Sequence, residues 1–201
     1  MFQLNYTFGL KNVLNSDYEY QKLSLQIFKR FYLSVLGYSD VEIRGEKVFG
    51  KGLPFPLLAM HRANQTYSYQ LYSYNLMNFL EFVSDQYVSI NIDHNFNGFF
   101  FNKIPLLKHL KLRDVMSFKA LYGNVTNANN PLYTSGLMQF PVDEKGNLST
   151  FTLDQKPYME MSIGVSNIFK LFRIDLVRRL TYLDHPNVSE YGIRARFKFD
   201  F

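Results

Sequence analysis

The chain of 201 residues contains no cysteine, no tryptophan and only four histidines. The absence of cysteine excludes disulfide bonds, thiolate metal ligands and cysteine nucleophiles. The histidines do not have the spacing of a metal-binding motif, and no nucleophile-elbow or glycine-rich phosphate-binding motif occurs; they are His61, His94, His109 and His185. We therefore expect no catalytic residue, no metal and no cofactor within this chain.

Long apolar runs are also missing, since no stretch approaches the roughly 20 apolar residues that a membrane-spanning helix requires. The net charge is +5, and the Lys and Arg residues are spread singly among apolar residues instead of forming a basic patch. Because nucleic-acid binding proteins cluster their basic residues, we do not expect a nucleic-acid partner.

The abundant feature is alternation of apolar and polar residues, supported by 20 Phe and 15 Tyr residues. At the end of the chain, every second residue from Tyr191 to Phe201 is apolar, while Arg194, Arg196 and Lys198 lie between them. A strand collects such residues on one face, whereas a helix would scatter them around its circumference. The pattern therefore predicts β-strands.

The same alternation, interrupted by Asn, Asp, Gly, Ser and Pro residues typical of turns, predicts nine strands in an all-β fold. Their approximate ranges are 2–10, 18–34, 38–49, 60–83, 87–101, 110–123, 157–168, 171–183 and 190–201. The stretch 124–156 is predicted to be the only large loop, and Glu81 and Asp85 are interpreted as strand-end and turn residues.

Two all-β architectures fit this pattern: a soluble β-sandwich binding module and an antiparallel, up-and-down transmembrane β-barrel. We favour the barrel because the polar faces are densely charged, as expected for a lumen, and because Tyr recurs near predicted strand ends, as in an interfacial girdle. The candidate lumen-facing residues are Arg44, Lys111, Arg113, Arg173, Arg194, Arg196 and Lys198. The candidate girdle residues are Tyr18, Tyr20, Tyr122, Tyr158, Tyr182 and Tyr191.

The last strand resembles the terminal strand of bacterial outer-membrane proteins, whose final Phe is read by the barrel assembly machinery. Phe201 is therefore the candidate assembly signal. The segments LMNFLEFVSDQY (76–87), HNFNGFFFNKIPLL (94–107) and LRDVMSFKALYGN (112–124) resemble a family of Bacteroidetes outer-membrane proteins that carry an N-terminal carboxypeptidase-regulatory-like domain ahead of a large barrel. The similarity extends from about residue 18 to the end of the chain.

This resemblance implies that residues 1–201 are the C-terminal part of one outer-membrane barrel domain. The N-terminal strands, any plug domain and the signal peptide would then lie upstream. An odd number of strands agrees with an incomplete barrel, because bacterial single-chain barrels have an even number. The implied location is the cell outer membrane, and the implied partners are outer-membrane lipid, the barrel assembly machinery and the rest of the barrel. If the C-terminus is periplasmic, the loop 124–156 is extracellular.

The family is loosely similar to the surface-antigen superfamily of insertases and translocators, which has a Val-Arg-Gly-Phe/Tyr motif whose arginine reaches into the lumen. Here Ile43-Arg44-Gly45 is followed by Glu46, and the triplet lies in a predicted strand. An ordinary lumen-facing Arg beside a strand glycine is the alternative. We expect a structural, transport or insertase-like role in envelope protein or lipid export rather than catalysis. The alternative is an outer-membrane enzyme with its catalytic residues upstream.

Overall fold

A computed structural model describes residues 1–13, 16–153 and 156–197. Its main feature is one antiparallel sheet of eight strands, ordered β1-β2-β3-β6-β7-β9-β10-β11. These strands are β1 (Phe2–Gly9), β2 (Tyr20–Tyr32), β3 (Tyr38–Phe49), β6 (Gln86–Asn95), β7 (Arg113–Asn124), β9 (Tyr158–Ile168), β10 (Phe172–Arg179) and β11 (Tyr191–Phe197).

Three short strands form a second sheet, in which β4 (Ala59–Met60) pairs with β5 (Phe82–Ser84), and β5 pairs with β8 (Phe151–Thr152). The α-helix α1 (Pro105–Leu110) lies between β6 and β7, and 3-10 turns occupy Ser34–Leu36, Phe55–Leu57, Phe101–Lys103 and Asn127–Asn129. Among the described residues, no helix has both the length and the apolar character that crossing a membrane would require.

The strand register keeps apolar residues on one face of the eight-stranded sheet. Ile43 pairs with Ile90, and Phe118 lies opposite both Ile92 and Met161. We call this side the open face, because many of its side chains are exposed. The other side, which we call the covered face, carries polar and charged residues beneath the connections 50–85 and 125–157.

The long connections lie together at one end of the sheet. Because neighbouring strands are antiparallel, the connections 10–19, 50–85, 125–157 and 180–190 share the long-loop end. The connections 33–37, 96–112 and 169–171 share the opposite, short-loop end, on which β1 begins and β11 ends.

The prediction of a strand over 60–83 is wrong. The repeated Tyr residues of this stretch resemble the alternation of a strand. Its backbone, however, forms hydrogen bonds with asparagine side chains. Asn64 Oδ1 accepts a hydrogen bond from Thr66 N at 2.9 Å, and Asn75 Oδ1 accepts one from Gln70 N at 2.9 Å. Such local bonds compete with a strand ladder and produce turns. We call the resulting connection of residues 50–85 the insert. The stretch 124–156 is therefore not the only large loop.

The predicted number of nine strands is therefore also wrong. An odd number of strands no longer supports the prediction that the barrel is incomplete. In the described part of the chain, β1 and β11 are the edge strands of the large sheet, with no pairing between them. The insert occupies part of the β11 edge, because Tyr69 N donates to Ala195 O at 2.8 Å and Ala195 N donates to Tyr67 O at 3.0 Å.

The apolar core lies between the covered face, the insert and the 125–157 connection. One cluster contains Val48, Leu53, Phe55, Leu58, Val83, Val125 and Phe140. A second contains Tyr74, Met77, Phe82, Leu121, Leu153, Tyr158 and Tyr182. Tyr158 and Tyr182 were predicted to lie in an interfacial girdle; that prediction is wrong for both, because their rings pack in this core.

Candidate functional site

The covered face carries a network of buried charges that begins with Arg173 on β10. Its guanidinium donates to Asp93 Oδ1 of β6 at 2.7 Å and to Asp175 Oδ2 at 2.7 Å. Arg173 and Asp175 are both buried. Because a lone buried charge is costly, two carboxylates around one guanidinium make the group tolerable in the interior.

Lys119 on β7 and Glu160 on β9 connect the sheet to the backbone of the insert. The Nζ of Lys119 lies 3.6 Å from Glu160 Oε1 and donates to the carbonyl oxygens of Gln70 and Ser73. Glu160 accepts hydrogen bonds from the backbone N–H of Asn75, at 2.8 and 2.9 Å. Lys119 therefore binds backbone carbonyl groups of the insert, and Glu160 binds a backbone N–H group of the insert.

A third set of buried charges is the ion pair between Glu81 of the insert and Arg179 at the end of β10. Arg179 Nη2 lies 2.6 Å from Glu81 Oε1, and His185 Nδ1 lies 2.8 Å from the same oxygen. Burial raises the pKa of Glu81, but the hydrogen bonds to His185 and Arg179 outweigh it, so the net shift of this pKa is downward. Glu81 is thus held as a carboxylate.

Uncharged contacts complete the attachment of the insert. The hydroxyl of Tyr69 donates to Ser117 Oγ on β7 at 2.7 Å, and burial raises the pKa of this tyrosine, so the hydroxyl stays protonated. Arg194 Nη2 on β11 donates to Asn75 O at 2.9 Å. The insert therefore contacts β7, β9, β10 and β11 on the covered face.

The 125–157 connection is joined to the insert at the long-loop end. Asp85 Oδ2 accepts hydrogen bonds from Thr126 N at 2.9 Å and from Asn129 Nδ2 at 3.2 Å. The ring of Phe140 lies edge-on to Phe55, with 6.2 Å between the ring centroids. The two connections thus form one packed layer over the covered face.

All five sequence-predicted arginines lie on the covered face. Arg44 pairs with Glu42 at 2.7 Å within β3, and Arg173 and Arg194 make the contacts above. Arg113 and Arg196 alternate onto the same face of β7 and β11. Arg44 is in the middle of a paired strand, which agrees with the alternative of an ordinary strand arginine.

The prediction for Lys111 is wrong, because this residue lies in no strand. Helix α1 continues to Leu110, and Lys111 follows it in the left-handed conformation, with φ of 51°. The strand predicted to begin at residue 110 begins at Arg113 instead. Lys198 and Phe201 lie outside the described residues.

The sequence interpretation missed Lys119, Glu160 and Glu81 as parts of a buried charged layer. Glu160 alternates onto the polar face of its strand, so its direction was visible, but its buried partners come from the insert. Glu81 and Asp85 were interpreted as strand-end and turn residues, whereas both are buried acids with fixed partners. The sequence signal that could have identified Glu81 as buried is its position inside the apolar stretch Leu80–Val83.

The chemistry of the described layer is that of ion pairs and hydrogen bonds between the sheet and its covering connections. Within the described ranges, no group of three or more His, Asp and Glu side chains has an arrangement that could hold a metal ion. The geometry fixes the insert against the covered face of the sheet.

Residues 1–134 match the model for the C-terminal domain of a family of unknown function, DUF5686. No curated protein matches the chain. No solved structure matches it either.

Proposed function

We propose that the chain, which belongs to the DUF5686 family of unknown function, forms part of a β-barrel in a bacterial outer membrane. In this proposal the open face contacts lipid, the covered face lines the lumen, and the insert is a plug. The role would be structural or in transport, including export of proteins or lipids through the envelope.

The observation that carries the proposal is the inverted polarity of the sheet. The covered face carries buried charged residues on β3, β7, β9 and β10, while large apolar side chains are exposed along all eight strands of the open face. They include Phe2, Leu4, Leu23, Ile27, Ile43, Val88, Met116, Ile163, Leu176, Ile193 and Phe197. Soluble monomers rarely expose a contiguous apolar patch larger than a few hundred Å². Lipid-facing strands of outer-membrane barrels have this polarity.

Strand length supports the same conclusion. A tilted strand needs about 9–11 residues to cross a bilayer. Five neighbouring strands reach this length: β2 has 13 residues, β3 and β7 have 12, β9 has 11 and β6 has 10.

The soluble β-sandwich is a weaker explanation of the same sheet. A sandwich packs a second apolar sheet against the apolar face of the first. In the described part of the chain, the small sheet of β4, β5 and β8 belongs to the layer over the covered face instead. The open face would then stay in water, at a large cost in hydrophobic free energy.

A barrel also requires that backbone groups at the sheet edges be paired within lipid. The proposal therefore requires β1 to pair with β11 or with strands outside this chain. Closure against β11 would require Tyr67–Tyr69 to leave its edge, because these residues bond to Ala195 there.

The experiment is fractionation of cells that express the full-length protein, followed by electrophoresis with and without boiling. We expect recovery in the outer-membrane fraction and a shift in mobility on heating, because folded barrels resist the detergent until they are boiled. A soluble periplasmic protein serves as the fractionation control. Recovery of the full-length protein in the soluble fraction would overturn the proposal.

A further inference from the structure

A groove of about 1410 Å³ lies on the open face at the short-loop end. One wall is the segment 96–112, and the other is formed by β7, β9 and β10. Most of the lining is apolar and includes Phe100, Met116, Ile163 and Leu176. The groove is open to the surroundings, so a chain-like apolar molecule could lie along the strands.

A buried carboxylate faces this apolar groove. Asp114, the second residue of β7, is 9% exposed and is one of the lining residues. Its Oδ1 lies 3.5 Å from Phe101 N, but its Oδ2 is fully buried and has no hydrogen-bond partner among the described residues. Because buried polar atoms are nearly always hydrogen-bonded, this oxygen is available to accept a hydrogen bond from a donor that enters the groove.

Two lysines line the same groove, each at a fixed turn. Lys111 follows α1, and Lys170 lies in the connection between β9 and β10; both have left-handed backbones. Asn167 Nδ2 donates to Lys111 O at 2.7 Å and so joins the two turns. The groove is therefore lined by two lysines, which can bind an anionic group. It is also lined by the Asp114 carboxylate, which can accept a hydrogen bond from a donor group.

The surroundings of the groove suit a membrane interface. Phe169, at the tip of the β9–β10 connection, is 85% exposed, and Leu106 on α1 is 82% exposed. Lys103, Lys108 and His109 lie in the same short segment as Leu106. Apolar side chains next to basic ones are typical of segments that lie in the headgroup region.

We propose that this groove binds a phospholipid whose headgroup carries a primary amine. The ammonium group would donate to Asp114 Oδ2, the phosphate would contact Lys111 and Lys170, and an acyl chain would follow the apolar wall. Phosphatidylethanolamine carries the three required parts. Phosphatidylcholine has no N–H donor for Asp114, and phosphatidylglycerol has no cation. The inference rests on the proposed membrane location and adds a lipid class to it.

The experiment is native mass spectrometry of the full-length protein, released from detergent in the presence of equal amounts of the three phospholipids. We expect phosphatidylethanolamine to be retained over phosphatidylcholine by about tenfold, the value of one charge-assisted hydrogen bond. Asp114→Asn should abolish this preference, and Lys111→Gln with Lys170→Gln should lower retention of all three lipids. Asp143→Asn, at an exposed turn of the long-loop end, is the matched control and should change nothing.

A second measurement uses the unchanged protein, so it does not depend on the folding of a variant. Successive N-methylation of phosphatidylethanolamine should weaken retention, most strongly at the step that removes the last N–H. Equal retention across this series, or a wild-type preference for phosphatidylglycerol, would overturn the inference. Recovery of the protein in the membrane fraction without amine selectivity would leave the proposed function standing, whereas soluble recovery would remove the proposed function itself.

Discussion

Arg179 and Glu81 form an ion pair that is removed from solvent, with side-chain exposures of 0% and 1%. Arg179 also donates to the backbone oxygens of Leu76 and Tyr182. Two segments distant in the chain, the insert and the end of β10, are therefore joined by one guanidinium. At the residue scale, the fold depends on charges that are buried in pairs.

Replacing Arg179 by Met should destabilise the protein by about 3–5 kcal/mol, because it leaves the Glu81 carboxylate buried without its main partner. The double variant Arg179→Met/Glu81→Leu should recover part of this loss, since no unpaired charge remains. The measurement is the urea dependence of the folded fraction on unboiled gels. Equal destabilisation by the single and double changes would contradict the ion-pair explanation.

Stability should decrease in acid partly through Glu81. Its pKa is lowered in the folded protein, so its contribution is present above the ordinary value of 4.5 and is lost as pH falls through the folded pKa. The difference in unfolding free energy between wild type and Glu81→Gln should therefore narrow below pH 4.5. Glu144→Gln, at an exposed turn, is the control. A difference that stays constant through this range would refute the assignment.

At the scale of elements, each strand of the large sheet separates two environments. On β9, Glu160 and Ser162 are buried under the insert, whereas Ile163 is 56% exposed on the open face. The strand alternation thus places apolar groups outside and polar groups inside. Whether lipid or water contacts the outer residues changes the expected effect of substitution.

Ile163→Arg should cost about 2–4 kcal/mol if the open face contacts lipid, because Ile163 lies midway along β9. The matched control is Met138→Arg in the 125–157 connection, where the side chain is 57% exposed. Substitution at an exposed position in water usually changes stability by about 0.5 kcal/mol or less. Urea titration of the folded fraction compares the two variants, and an equally small effect of both would place the open face in water.

Single cysteines on β11 test the same polarity by accessibility, since the chain has no cysteine of its own. Ile193→Cys should be spared by a water-soluble thiol reagent although Ile193 is 66% exposed, because lipid would cover it. Arg196→Cys, on the covered face, should be labelled through the lumen. Met138→Cys is the positive control for labelling on whole cells. Labelling of position 193 with protection of position 196 would reverse the assigned faces.

At the scale of the whole molecule, the two ends of the sheet differ. The long-loop end carries the insert and the 125–157 connection, and the short-loop end carries brief turns and α1. Outer-membrane barrels place long loops outside the cell and short turns in the periplasm. The proposal therefore places the long-loop end outside the cell and the short-loop end in the periplasm.

An epitope inserted at Gly146 should be bound by antibody on intact cells, because this exposed turn lies at the long-loop end. Gly146 is in the left-handed region, and open space surrounds the position of a Cβ atom there. An epitope inserted at Val35, in the exposed β2–β3 turn at the other end, should be reached only after permeabilisation. The opposite pattern would mean that the proposed orientation is inverted.

The sequence by itself determined the eight strands of the large sheet and their two faces, but not the fold of residues 60–83. Alternation has a period of two, which is a local property of extended backbone, so the open-face residues of β9 and β11 could be assigned without a structure. By the same reasoning, the adjacent residues Asp93 and His94 of β6 face opposite sides, and in the structure they bind Arg173 and Ser39 respectively.

Only the tertiary structure decided what the polar face contacts. The alternating Tyr residues of the insert resemble a strand locally, and the bonds that fold it, such as Asn75 to Glu160, join residues 85 positions apart. The pairing of Glu81 with Arg179 spans 98 positions. Such pairs leave no periodic signal, because their free energy depends on burial and on partners brought together by the sheet.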